Sequence, residues 1–153
     1  MKQLDVLKGQ DAVLLAARFL LVLLFLIFGW DKLVNYSGTL QYMVHVGAPL
    51  PVPATIISIV MELFVGLAIL AGIATRPLAV LLAIYTFGTA LIAHHYWTMT
   101  GMERFENEIN FYKNISIIGG LLALYVTGPG RYSVSGWLQK RRSNSTRTLR
   151  HTS

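Results

Sequence analysis

The chain has 153 residues, of which 54% are hydrophobic and 13% are charged, with a mean hydropathy of +0.55. This composition excludes an ordinary soluble domain and indicates a single integral membrane domain. The sequence contains no cysteine, which excludes disulfides, C-x-x-C redox centres and cysteine-ligated metals. Its net charge of +6 arises from basic residues beside apolar segments and at the C-terminus, so we expect a membrane topology signal and no nucleic-acid partner.

Four apolar segments are long enough to cross a bilayer, whose hydrocarbon core of ~30 Å needs about 20 helical residues. We predict spans at 12–33, 54–72, 77–97 and 111–127. The first contains Arg18 and is followed by no small-x-small cleavage site, so we interpret it as a span and not as a signal peptide. The turn around Arg76 is so short that the second and third spans must be antiparallel neighbours. The predicted fold class is an all-α, integral membrane four-helix bundle.

The connection between the first two spans, residues 35–52, is amphiphilic. Ser37 is a candidate N-cap for a short helix through Val46, and Gly47 with the following prolines ends it. We predict that this short helix lies at the membrane interface. The connection before the fourth span, residues 98–109, is polar and partly acidic. If the fourth helix starts early, Glu106, Asn110, Lys113 and Asn114 lie on one polar face of it.

Basic residues are distributed unevenly between the two sides of the predicted membrane domain. Four spans place both termini on one side, together with Arg76 and the basic C-terminal residues, and leave Lys32, Arg104 and Lys113 on the other. The positive-inside rule therefore predicts that both termini are cytoplasmic. We expect the membrane domain to occupy residues 1–138 and residues 139–153 to form a basic, disordered cytoplasmic tail.

Glu62 lies near the middle of the second predicted span. A charge at this depth costs at least ~2.5 kcal/mol, so it should face a partner charge, the protein interior or a water-filled cavity. Arg18 and Lys32 share one face of the first span. Counting residues from the membrane boundaries makes Arg18 the expected direct partner of Glu62, and the alternative is that Arg18 extends to the cytoplasmic interface. The polar face of the second span comprises Thr55, Ser58, Glu62 and Gly66.

A second group of polar residues is predicted at the outer ends of the spans. His94 and His95 end the third span, and Asp31, Lys32, Lys113 and Asn114 have a similar depth. Above Glu62, this group could bind the head of a quinone or another amphiphile, or handle protons. Ordinary helix packing with structural ion pairs is the alternative. Since adjacent helical histidines diverge by ~100° and no Glu-x-x-His pair exists, we expect no metal or haem site. The candidate site residues are Arg18, Lys32, Glu62, His94, His95, Lys113 and Asn114.

Three stretches together resemble the DoxX family of small four-span bacterial membrane proteins. They are GWDKL (Gly29–Leu33), MELFVGLAILAGIATRP (Met61–Pro77) and FYKNISIIGGLLALYVTGPGRYSV (Phe111–Val134). The resemblance implies a four-helix, multi-pass protein of the bacterial cytoplasmic (inner) membrane. Recurrent polar residues of the family correspond to Arg18, Lys32, Glu62, Arg76 and Asn114, whereas Ser135 stands where relatives often carry an acidic residue.

The family's namesake belongs to a thiosulfate:quinone oxidoreductase, so the resemblance implies a membrane subunit or accessory of a quinone-linked redox or oxidative-stress system. The alternative is a non-enzymatic assembly or scaffold subunit, or a small-solute carrier, with structural intramembrane ion pairs. We expect no intrinsic cofactor and quinone as the candidate ligand. The expected partners are membrane lipids, redox proteins and further copies of the chain. Neither reading assigns a catalytic residue.

Overall fold

The computed structural model describes the backbone of residues 2–141 and the side chains of residues 9–141. Its helices are α1 (Lys2–Val34), α2 (Tyr36–His45), α3 (Pro51–Ala71), α4 (Thr75–Ala93), α5 (Gly101–Thr127) and α6 (134–141), with a 3₁₀ turn at Tyr96–Thr98. This part of the chain contains no strand, which confirms the all-α prediction. Four of its helical stretches are long and apolar enough to cross a membrane: Gly9–Val34, Pro51–Ala71, Thr75–Thr98 and Gly101–Thr127.

The four spans pack as two closely associated pairs, α1 with α3 and α4 with α5. Buried apolar side chains from all four meet in one core, including Val22, Met61, Leu82 and Leu121. The polar faces predicted for α1 and α3 point into the molecule: Arg18, Thr55, Ser58 and Glu62 are buried and Lys32 is partly buried. In lipid, close helix contact relies on van der Waals packing and hydrogen bonds, so these polar faces stabilise the interior contacts.

Gly29 fixes the relative height of α1 and α3. A Cβ atom there would lie 2.6 Å from the backbone nitrogen of Leu63 and 2.9 Å from the carbonyl carbon of Glu62. Only a residue without a side chain allows the two backbones to approach so closely. Gly29 is therefore level with Glu62, and Lys32 lies about one turn further along α1.

Several helix boundaries differ from the predicted ones. The fourth span begins as a helix at Gly101, ten residues before the predicted 111, because the polar segment that follows Gly101 has no helix-breaking residue. The third predicted span, 77–97, lies within the apolar stretch Thr75–Thr98. Its α-helix ends at Ala93, because His94 leaves the helical region with φ −125° and ψ 41°, and a 3₁₀ turn follows at Tyr96–Thr98. The N-cap of α2 is Asn35 and not Ser37, because the Asn35 side chain accepts the N–H of Gly38 at 3.2 Å.

One end of the molecule contains the start of α1, the turn between α3 and α4, and residues 128–141; we call it the basic end. The opposite end, with α2 and the connection between α4 and α5, is the cavity end. Gly72 makes the α3–α4 turn with φ +74°, and the two helices are in contact as predicted. Residues 139–141, assigned to the tail from the sequence, continue α6, and residues 142–153 lie outside the described residues. The cytoplasmic position of the termini and the interfacial position of α2 stay predictions.

Candidate ligand-binding cavity

A cavity of about 690 Å³ opens at the cavity end between α1, α2, α3, α4 and α5. Most of its wall is apolar, contributed by Leu24, Phe25, Phe28, Met43, Pro53, Ile57 and Ile92 among others. Its volume falls in the range typical of small-molecule sites, which are largely apolar with a few polar groups that orient the ligand. The cavity has two main polar regions, one around Glu62 and one on a face of α5.

Glu62 is 7% exposed and has a partner for each carboxylate oxygen. The ammonium group of Lys32 forms an ion pair with Oε2. The hydroxyl of Tyr85, on α4, donates a hydrogen bond of 2.6 Å to Oε1. Side chains from α1, α3 and α4 thus meet at one carboxylate. Hydrogen bonds to an ionised group are substantially stronger than those between neutral groups.

Glu62 also lies in a π-helical turn, Val60–Val65, inside the otherwise α-helical α3. A π-turn inserts one residue into the helix and is frequent at functional sites. In α3 it lies beside Gly29, where the backbones of α1 and α3 are closest.

The second polar region of the cavity is a face of α5 around residues 110–114. Lys113 donates a 2.6 Å hydrogen bond to Oδ1 of Asn110, and Asn114 is buried next to them on the same face. His94 lines the cavity as well, with its Nδ1 2.9 Å from Oδ1 of Asn107. Because an ammonium group has three N–H donors, Lys113 keeps donors for a further acceptor.

Tyr42 brings α2 into the same cavity. Burial raises the pKa of its phenol, and the negative charge of Glu62 raises that pKa further. The Tyr42 hydroxyl is therefore neutral and available as a donor at neutral pH.

The structure brings together five of the seven residues that the sequence singled out. Lys32, Glu62, His94, Lys113 and Asn114 all line the cavity. His95 does not; its Nδ1 is 2.7 Å from the carbonyl oxygen of Ile92, and it faces an adjacent, polar surface depression of about 390 Å³. Asp31, expected beside this group, is exposed.

The expected pairing of Arg18 with Glu62 is wrong. Arg18 is fully buried at the basic end, where its Nη2 donates to the carbonyl oxygen of Tyr132. Gly29 sets the height of Glu62 on α1, and Arg18 lies eleven residues away, or ~16 Å along the helix axis. Counting residues from the ends of the apolar segments does not show how α1 is shifted along α3, so the count favoured Arg18 over Lys32.

Tyr85, Asn110 and Tyr42 are site residues that the sequence did not identify. Tyr85 did carry a signal, since a tyrosine inside an apolar span needs a hydrogen-bond partner for its hydroxyl. Asn110 belongs to the polar face expected if the fourth helix starts early, and it was not chosen as a site residue; Tyr42 lies in a helix expected at the membrane surface. Neither could be placed at the site before the start of α5 and the position of α2 were known.

The fold and the cavity define a small multi-pass membrane protein whose spans enclose a carboxylate-centred site. The sequence profile of the DoxX family matches residues 13–95, more than half of the chain. The chain therefore belongs to the DoxX family.

Two Escherichia coli (strain K12) proteins are clear relatives. Inner membrane protein YphA is 51% identical over 126 residues, covering 82% of this chain and 90% of YphA. Inner membrane protein YqjF is 39% identical over 137 residues, covering 88% of this chain and 98% of YqjF. No solved structure matches the chain significantly. Together with the four apolar helices, these relatives identify it as an integral inner-membrane protein.

Proposed function

We propose that the cavity binds a quinone, and that the protein is a membrane subunit or accessory of a quinone-linked redox or oxidative-stress system. The observation that carries this proposal is the group of Lys32, Glu62 and Tyr85 at the base of a mostly apolar cavity. The role of the family's namesake in a thiosulfate:quinone oxidoreductase supports the same ligand class.

The chemistry of the cavity suits a quinone head. A quinone ring is flat and apolar, and its carbonyl oxygens accept hydrogen bonds, so it needs apolar walls and donors at the edge of the ring. Phe25 and Phe28 contribute such walls, while Lys32 and Lys113 each carry N–H donors beyond the single bond described for them. Glu62 holds the Lys32 ammonium group in place and is the nearest carboxylate able to exchange a proton with the ligand region.

The test is the quinone content of the protein purified from its own membrane in mild detergent. We expect a near-stoichiometric amount of quinone in the lipid extract of the unaltered protein and a clear loss in Glu62→Gln. The control is Glu106→Gln, which makes the same chemical change at an exposed position of α5 that does not line the cavity, and it should retain the quinone. Quinone no more abundant than in an unrelated membrane protein would refute the proposal.

A second candidate function is a non-enzymatic assembly subunit or small-solute carrier. It is favoured by the fact that both oxygens of Glu62 already have protein partners, as expected of a structural pair. In that case Lys32→Met and Glu62→Gln each lower expression, the double variant restores it, and no variant changes the lipid extract. A homo-oligomer and redox partner proteins are proposed under either function, and native mass spectrometry of the purified protein tests both.

We further propose that both termini are cytoplasmic and that α2 lies at the opposite interface. The chain has no cysteine, so single cysteines can be labelled without background. A membrane-impermeant maleimide should label Ser37→Cys in intact spheroplasts and should label Gln139→Cys only after lysis. The reverse pattern would overturn this orientation.

A further inference from the structure

Charge is segregated strongly between the two ends of the molecule. Among the side chains of residues 9–141, the basic end carries five cations and one acid, which are Arg18, Arg76, Arg131, Lys140, Arg141 and Asp11. The cavity end has more acids than cations, namely Asp31, Glu62, Glu103, Glu106 and Glu108 against Lys32, Arg104 and Lys113. Arg18 is buried, and the other four cations are exposed, so the basic end presents a positive surface.

Residues 131–141 are fixed to this end by hydrogen bonds to α1 and to the α3–α4 turn, and by an ion pair in which Nε of Arg131 lies 3.9 Å from Oδ2 of Asp11. The backbone N–H of Arg131 donates to Oδ1 of Asp11 on α1 at 2.9 Å. The hydroxyl of Ser135 donates to the carbonyl oxygen of Gly72 at 2.7 Å, and Arg18 donates to the carbonyl oxygen of Tyr132. The basic residues of this segment consequently have a defined position relative to the membrane-spanning helices.

The same segment exposes large apolar side chains beside its cations. Tyr132, Trp137 and Leu138 are each about half exposed. The guanidinium of Arg141 lies 4.0 Å from the centroid of the Trp137 ring, a cation–π contact. Aromatic residues that alternate with cations are typical of segments that lie in the headgroup layer of a bilayer.

We propose that residues 131–141, with Arg76, form a binding surface for anionic phospholipid headgroups in the leaflet next to the basic end. The phosphates pair with Arg131, Lys140 and Arg141, and the Trp137 ring lies at the boundary between headgroups and acyl chains. A zwitterionic leaflet carries no net charge and cannot match the excess of cations at this end. The surface is remote from the cavity and does not depend on the ligand proposed there.

The test uses Trp137 as the reporter, in the full chain carrying Trp30→Phe and Trp97→Phe, reconstituted in phospholipid vesicles with no other protein. We measure quenching of its fluorescence by brominated phosphatidylglycerol and by brominated phosphatidylcholine at equal, low mole fraction. Phosphatidylglycerol should be enriched beside Trp137 on the order of tenfold over phosphatidylcholine. This preference should fall toward unity in Lys140→Gln/Arg141→Gln and in high salt, because both remove or screen the same charge interaction.

Arg104→Gln is the matched control, since it removes an exposed cation from the cavity end. It should leave the preference for phosphatidylglycerol unchanged. Equal quenching by the two lipids in the starting protein overturns the proposal, as does an equal loss of preference in Arg104→Gln. The comparison of lipids and of salt in the starting protein decides the question even if the double variant does not fold.

Discussion

Double-mutant stability measurements can distinguish an ion pair between Lys32 and Glu62 from one between Arg18 and Glu62. Lys32→Met removes the cation and leaves the Glu62 carboxylate, whose side chain is 9% exposed, with the Tyr85 hydroxyl as its one remaining partner among the side chains of residues 9–141. Breaking a buried pair in this way costs about 3–5 kcal/mol of unfolding free energy. Because 20% of the Lys32 side chain is exposed and the cavity admits water, we expect a loss near the low end, ~3 kcal/mol.

Glu62→Gln should cost less, ~1–2 kcal/mol, because the remaining Lys32 ammonium group can hydrate through the cavity and the glutamine side chain still accepts from Tyr85. The double variant leaves no buried charge, so its loss should not exceed that of Lys32→Met. The coupling energy is then at least ~1–2 kcal/mol.

The assay is reversible unfolding in mixed micelles, followed by circular dichroism for the four members of the cycle. The control cycle replaces Lys32→Met by Arg18→Met. Since Arg18 lies ~16 Å from the level of Glu62, its effect should add to that of Glu62→Gln within ~0.5 kcal/mol. Additive Lys32 and Glu62 effects, or coupling between Arg18 and Glu62 instead, would refute the register of α1 against α3.

Three further predictions concern packing and the hydrogen bond from α4. Gly29→Ala should lower the unfolding midpoint by an amount equivalent to ~2 kcal/mol, because its Cβ meets the α3 backbone. The control Gly119→Ala, whose Cβ meets nothing within 4 Å, should be neutral or slightly stabilising. Equal midpoints for the two variants would contradict the close contact at Gly29. Gly72→Ala should be destabilising by ~2 kcal/mol or more, because the residue has φ +74° and its Cβ would lie 2.3 Å from Cβ of Ser133. Hydrogen exchange in residues 131–137 should also become faster. Unchanged exchange would contradict the contact between Gly72 and that segment. Tyr85→Phe should cost ~2 kcal/mol in the same unfolding assay, because the hydrogen bond to the Glu62 carboxylate is lost. The loss should be smaller in the Glu62→Gln background, and an equal loss in both backgrounds would argue against that bond.

The sequence was sufficient to predict the fold class and the positions of the four spans, because hydropathy and helix length report directly on the bilayer. It also predicted which faces of α1 and α3 are buried, since helical spacing is independent of tertiary context. Hydropathy alone did not locate the start of α5, although the helical spacing of Glu106, Asn110, Lys113 and Asn114 fits an early start. Its first turns are polar, and a hydropathy criterion assigns such residues to a connection even when the helix continues.

The candidate site was predictable as a group and not as a set of contacts. The shared depth of Lys32, Lys113 and Asn114 placed them together above Glu62. The choice between Lys32 and Arg18 depended on the contact at Gly29, and the second partner, Tyr85, depended on how α4 is rotated against α3. Both are properties of helix pairs, and neither is encoded in the spacing of residues within one helix.

The most direct test of the central claim, that the cavity around Glu62 holds a ligand, is to fill it. Gly88 lines the cavity, and a Cβ atom there would meet nothing within 4 Å, so Gly88→Phe places a ring in the space without a clash at Cβ. Gly119→Phe makes the same change at an equally open position on the exposed face of α5, away from the cavity. Native mass spectrometry with lipid identification should find quinone on the unaltered protein and on Gly119→Phe, and none on Gly88→Phe. Equal retention by the two variants, or no quinone on any of the three proteins, would contradict the claim.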